Sequence, residues 1–302
     1  MIRTRTRTED DPRVGAWALL PLGVAAAAIA LAPWWLTGAR LPLQNLWAET
    51  ATAAQMPVVL LPFSQYTVVQ VFAYLVVGSA LAGIAGRALR VRGWGLTLLL
   101  AGILLVQVTA TVQTALVVRD GLQDRLESTL YLAGLVVGTS LSVLVGMTVT
   151  ILIARAPRAG ALLGLAVAAI ATGAWLGAVL SRGLGHDAFA AVMPLLPWIA
   201  PILTGAAIAW AGLNTVGRVL AALVSVALVW IAPALVTGIA NALGTRVLLR
   251  SPGDLADYGL GVFRMALLTP ELALRPVVAT LVVAAIGLVI RAVLRRRAIP
   301  AR

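Results

Sequence analysis

Few residues in this chain have the chemistry to act on a substrate. His186 is the only histidine, Asp187 follows it, and cysteine is absent. Zinc and haem sites draw several ligands from His, Cys, Asp and Glu, and general acid–base or nucleophilic sites need at least two such groups in register. No metal site and no cofactor are therefore expected, and His186-Asp187 reads first as a solvated loop pair. An enzyme built on this chain would have to use His186, Asp187, Arg264 and Glu271. The sequence holds no GxxxxGK[ST], GxSxG or HExxH, so neither an ATP motor nor a hydrolase signature is present.

The more informative polar residues are uncharged. Gln107, Thr111 and Thr114 recur at i, i+4 and i+7, which is one face of a helix, and Thr109 and Gln113 form a second stripe nearly opposite. Gln70 falls in another apolar run. Within a membrane, such groups either bond to neighbouring helices, at about 0.6 kcal/mol each, or line a polar pathway for an uncharged or zwitterionic solute. Two opposed stripes predict a helix in the middle of a bundle, because Gln facing lipid is costly.

The elements that must carry these residues follow from composition. Of 302 residues, 61% are hydrophobic and 11% charged, against about 45–50% and 25% in soluble domains. A membrane-crossing helix needs roughly 20 mostly apolar residues. Eight segments qualify: 14–35, 67–86, 95–118, 130–153, 161–180, 199–217, 219–240 and 277–290. The fold class is thus all-α, a polytopic membrane helix bundle. The sixth and seventh spans are separated only by the turn around Asn214, Thr215, Gly217 and Arg218, and a bent re-entrant hairpin would read the same way. The first span has the outline of a signal peptide, with Arg3, Arg5 and Arg7 before it and Ala30-Leu31-Ala32 within it. Pro33 and the length of the run favour a retained span.

Net charge is +12, and all 23 basic residues are arginine. They do not form a nucleic-acid face. With both termini on one side, fifteen arginines share that side with Glu9, Asp10 and Asp11, while eight arginines and eight acids lie opposite. Positive loops stay in the cytoplasm, so both termini are expected there, with the chain in the cytoplasmic (inner or plasma) membrane of a bacterium. Arg87, Arg90 and Arg92, and Arg291, Arg295, Arg296 and Arg297, are candidate contacts for anionic lipid headgroups, at about 1 kcal/mol each. Trp34, Trp35, Trp47, Trp175 and Trp198 are expected at the outer interface, and Trp17 and Trp94 at the inner one.

The chain also reads as duplicated. Leu75-Val76-Val77-Gly78-Ser79 resembles Leu135-Val136-Val137-Gly138-Thr139, and Ala27-Ala28-Ile29-Ala30 resembles Ala168-Ala169-Ile170-Ala171. The organisation expected is a basic N-terminus at 1–13, a four-span half at 14–153, a second half at 154–290 and a basic tail at 291–302. Even-span halves would be parallel repeats. Two long outer segments, 36–66 and 241–276, are too apolar for plain linkers. Ser251-Pro252-Gly253-Asp254 opens a predicted helix with Leu255, Tyr258, Val262 and Met265 on one face, lying on the membrane surface or over the bundle as a lid. Thr269-Pro270-Glu271 starts the last span. Small residues at four-residue spacing, such as Ser79/Gly83 and Gly134/Gly138/Ser142/Gly146, predict close helix contacts.

No acid lies inside a predicted span, which disfavours proton or sodium coupling. The function expected is a non-catalytic subunit or assembly factor that binds partner helices and lipid, with other membrane subunits or a second copy as partners. A transporter or passive conduit is the alternative, and a membrane enzyme comes third.

Overall fold

The computed structural model describes residues 15–245 and 251–297. The basic N-terminus 1–13, with Arg3, Arg5 and Arg7, lies outside the described residues, as do Arg246, Arg250 and Arg302. Among the described residues the protein is all-helical, and eight helices are long and apolar enough to cross a membrane. Ten α-helices follow in order: α1 (Leu19–Leu36, led in by a 3-10 turn at Ala16–Ala18), α2 (Val68–Ala88), α3 (Trp94–Gly121), α4 (Leu126–Arg155), α5 (Arg158–Gly183), α6 (His186–Val192), α7 (Leu196–Ala211), α8 (Val216–Gly244), α9 (Pro252–Leu268) and α10 (Pro270–Arg297).

All eight predicted spans are present. The doubtful pair resolves into two helical runs. His186–Ala211 has 26 residues and Val216–Gly244 has 29, or about 39 and 43 Å at 1.5 Å per residue. Either exceeds a hydrocarbon core of about 30 Å. Gly212, with φ of 73°, makes the sharp exit from α7, and the Thr215 hydroxyl accepts from the Arg218 amide to start α8.

The centre of the bundle is α2, not α3 as the polar stripes predict. Within its apolar window 61% of α2 is buried, against 33% for α3. Small residues explain this. A Cβ on Gly78 would meet Ala27 Cα at 3.0 Å, so α1 lies directly on α2. Gly83 sits equally close to Thr150 and Ile153, and Gly146 faces Ser79, which brings α4 onto another side of α2. Crossings this tight use dispersion between backbones, the main attraction left where lipid is as apolar as leucine. The α1–α3 crossing is tighter still: Gly23 meets Gly102 and the Leu99 backbone, and Gly102 meets the Leu20 carbonyl.

Helix α5 joins this first group to the remainder, packing on α2 and α4 and also on α7 and α8. α10 runs parallel to α7: Gly205 packs on Thr280 and Val283, and Gly287 on Ala209.

The predicted outer helix exists as α9, and it packs along a neighbouring helix. α9 lies antiparallel along the second half of α8 instead of across the end of the bundle. Gly259 and Phe263 pack on Gly238, and Trp230 Nε1 donates to the Leu267 carbonyl at 3.2 Å. The face turned to α8 runs through Gly259, Phe263 and Ala266, while Tyr258 and Met265 of the predicted apolar face are exposed. Glycines at 238 and 259 let the two backbones approach where a tyrosine or methionine would hold them apart.

Candidate functional site

Residues 37–67 connect α1 to α2 at what is here termed the loop end of the bundle. They are not a surface loop. Leu41, Met56, Val59, Leu61 and Phe63 are fully buried and pack with Leu31, Trp34, Tyr74 and Val118. The segment is irregular, with an Arg40–Val58 antiparallel bridge, so its backbone groups need partners. Helices supply them. Gln113 accepts from the Leu60 amide at 2.9 Å through Oε1 and donates to the Val58 carbonyl at 3.1 Å through Nε2. Thr114 Oγ1 accepts from the Leu61 amide at 2.9 Å. Trp34 Nε1 donates to the Val59 carbonyl and Trp35 Nε1 to the Leu60 carbonyl, at 3.0 and 3.1 Å. Gln44, held by Tyr131 OH at 2.6 Å, donates to the Phe63 carbonyl. Non-helical backbone near membrane depth is tolerated only where protein satisfies it in this way.

The other predicted polar residues also serve the helices. Gln107 is buried and donates through Nε2 to the Leu75 carbonyl at 2.8 Å and to Ser79 Oγ at 3.2 Å, tying α3 to α2. Thr150 Oγ1 donates to the Ser79 carbonyl from α4. Thr111 bonds back to the Gln107 carbonyl of its own helix, and Thr109 is exposed. Gln70 meets a partner that sequence reasoning counted only for topology. Arg182, on α5, donates to Gln70 Oε1 at 2.7 Å and to Tyr74 OH at 3.0 Å, and its guanidinium stacks 5.2 Å from the Trp34 ring centroid. Three helices meet on this one cation. Arg182→Met should lower stability in detergent by about 1–3 kcal/mol, read as an earlier thermal transition. An unchanged transition would show that the cluster is incidental.

The opposite end is basic. Arg87 donates to the carbonyls of Ile153 and Ala156 at 2.8 and 3.0 Å, which fixes the α4–α5 turn, and it lies 5.1 Å from the Trp210 ring centroid. Arg158 lies 5.9 Å from the same ring. Arg291 donates to the Ala209 and Trp210 carbonyls at 2.9 and 2.8 Å, capping the last turn of α7. Arg90, Arg92, Arg295 and Arg296 are exposed. Trp210 was not singled out from sequence, and Arg158 and Arg218 were read only for topology, because nothing in local spacing shows that four helix ends converge there.

Among the described residues, the groups with catalytic chemistry do not form a cluster. His186 and Asp187 are exposed at the start of α6, Arg264 is exposed on α9, and Glu271 falls in the first turn of α10. Among the described residues no three His, Asp or Glu side chains come together.

Eight helices long and apolar enough to cross a membrane define a multi-pass membrane protein. Comparison with protein-family models, with curated proteins and with solved structures returned no match.

Proposed function

We propose that this protein is a non-catalytic membrane subunit or assembly scaffold, whose exposed helix faces hold partner helices and lipid. The observation that carries this reading is the open face of α4. Gly134 and Gly138 have nothing within 4 Å of where a Cβ would stand, although Gly146 on the same helix is filled by Ser79. Exposed Leu130, Val137 and Leu141 flank them. Glycines at this spacing make a shallow notch into which another helix backbone fits. The polar inventory supports the same reading, since Gln107, Gln113 and Thr114 bond to this chain's own backbone. α10, with only 11% of its window buried, offers a second broad apolar face.

The orientation proposed places the basic end and both termini in the cytoplasm, by the bias of arginine loops. The membrane proposed is the cytoplasmic membrane. The duplication read from sequence fits a four-hairpin plan, although Gly78 and Gly138 of the matching phrases do different work: one is packed and one is open.

Gly134→Leu with Gly138→Leu should abolish co-purification of a partner, or self-association, in mild detergent, while leaving the thermal transition in place. The chain has no cysteine, so a single Gly134→Cys should give one crosslinked species without background. Recovery of the same isolated protein from wild type and variant at every expression level would sink the proposal. Solute flux in liposomes that vanishes in Gln107→Leu/Gln113→Leu, with the fold intact, would favour the conduit reading instead.

A further inference from the structure

At the basic end, α7 and α10 do not close completely. A groove of about 430 Å³ runs between them, lined by Ala209, Trp210, Gly287, Ile290, Leu294 and the guanidinium-bearing Arg291 and Arg295. Its walls divide by chemistry. Ile290 and Leu294 are more than half exposed and form an apolar flank that continues along α10 into the membrane-spanning part. At the mouth, positive charge converges from four helices: Arg87 and Arg158 lie over Trp210, and Arg291 lies within electrostatic reach of Arg158, Arg218 and Arg295. Like charges packed this closely repel, and among the described residues no carboxylate lies beside them. The described carboxylates at Glu49, Asp120, Asp124, Glu127 and Asp187 belong to the loop end, and Asp254 and Asp257 to the first turns of α9.

We propose that this groove is a specific site for an anionic phospholipid, with the phosphodiester among Arg158, Arg291 and Arg295 beside Trp210 and an acyl chain along Ile290 and Leu294. Basic pockets between helices on the cytoplasmic side suit such headgroups, because an arginine fork matches phosphate oxygens and an interfacial anion relieves the mutual repulsion. The apolar flank favours a lipid over a free phosphate, which would use the charges and leave the wall bare. The site deepens the lipid-binding half of the proposed function and does not depend on the partner-binding half.

The test is native mass spectrometry of the full chain in detergent, titrated separately with phosphatidylglycerol, with phosphatidylcholine and with inorganic phosphate. Wild type should retain phosphatidylglycerol selectively. Arg158→Gln with Arg295→Gln removes one cation stacked on Trp210 and one exposed cation, and leaves the α7 cap Arg291 in place. It should weaken phosphatidylglycerol binding by about tenfold or more. Arg90→Gln with Arg92→Gln, which removes equal charge outside the groove, should change it less than about twofold. Leu294→Trp keeps every charge and narrows the apolar wall, and it should also weaken the lipid. Equal losses in the two double-arginine variants would overturn the proposal, since a diffuse surface charge would then suffice. Displacement of the lipid by inorganic phosphate at comparable concentration, or full binding by Leu294→Trp, would overturn it in favour of a soluble anion. Neither result bears on whether partner helices dock on α4.

Discussion

Gly102→Leu should be among the most damaging single changes in this chain. Gly102 lies where α3 crosses α1, and a Cβ there would overlap the Leu20 carbonyl and stand 2.9 Å from the Val24 amide nitrogen. Gly23 opposes it in the same way against Leu99 and Gly102. The obstructing atoms are backbone, so no rotamer change can make room and the helices must separate. Overpacking a core costs about 1–3 kcal/mol where side chains can yield, and the loss here should reach the top of that range or exceed it. The separation would also withdraw Ala26, Ala27 and Leu19 from the cluster they form with Leu99 and Ile103. Gly134→Leu is the matched control, because its Cβ meets open space. Thermal unfolding and size-exclusion behaviour of the two variants should diverge sharply. Equal transitions would mean that α1 and α3 are not held by this crossing.

The contrast shows what the sequence made legible. Hydrophobic runs set the eight spans, since a length of about 20 apolar residues is a local property. Small-residue spacing also identified real contacts at Ser79/Gly83 and at Gly146. It missed Gly23 and Gly102, which form a close pair only when α1 and α3 cross. It could not tell Gly146, which is packed, from Gly138, which is open, because the two differ only in what lies opposite. The polar stripe of α3 was visible for a related reason. Its periodicity implied buried partners, but those partners are mostly backbone groups of α2 and of residues 58–61. An irregular segment has no period to read, so the central position passed wrongly from α2 to α3.

The basic end taught the same lesson with charge. Counting arginines by loop placed Arg87, Arg158, Arg218 and Arg291 on one side of the membrane. Only the packing of α2, α5, α8 and α10 turns that tally into a cluster around Trp210. At α9, composition announced a helix with an apolar face, but the face that packs on α8 is set by the meeting of Gly259 with Gly238, and Gly238 lies outside the helix itself.

The loop-end plug offers the second large effect. Gln113→Leu with Thr114→Val keeps volume and helix but removes the acceptors for the Leu60 and Leu61 amides and the donor to the Val58 carbonyl. A buried amide left without a partner costs about 1–3 kcal/mol. Two such amides, with the tryptophan bonds to Val59 and Leu60 still pulling on the same strand, should bring the loss to about 2–5 kcal/mol. The segment would relieve this by moving toward water, and that would uncover Leu61 and Phe63, both fully buried in the native protein. Amide exchange at residues 58–63 should therefore rise well before global unfolding, and a protease should cut within 50–60. Thr109→Val, on the exposed side of α3, should leave both readouts at wild-type values. The outcome separates two accounts of the α3 stripe. If exchange rises in the double variant alone, Gln113 and Thr114 are a clasp for the plug. If the plug stays protected, the buried contacts of Leu41, Met56 and Phe63 hold it without them, and the stripe is freed for another purpose.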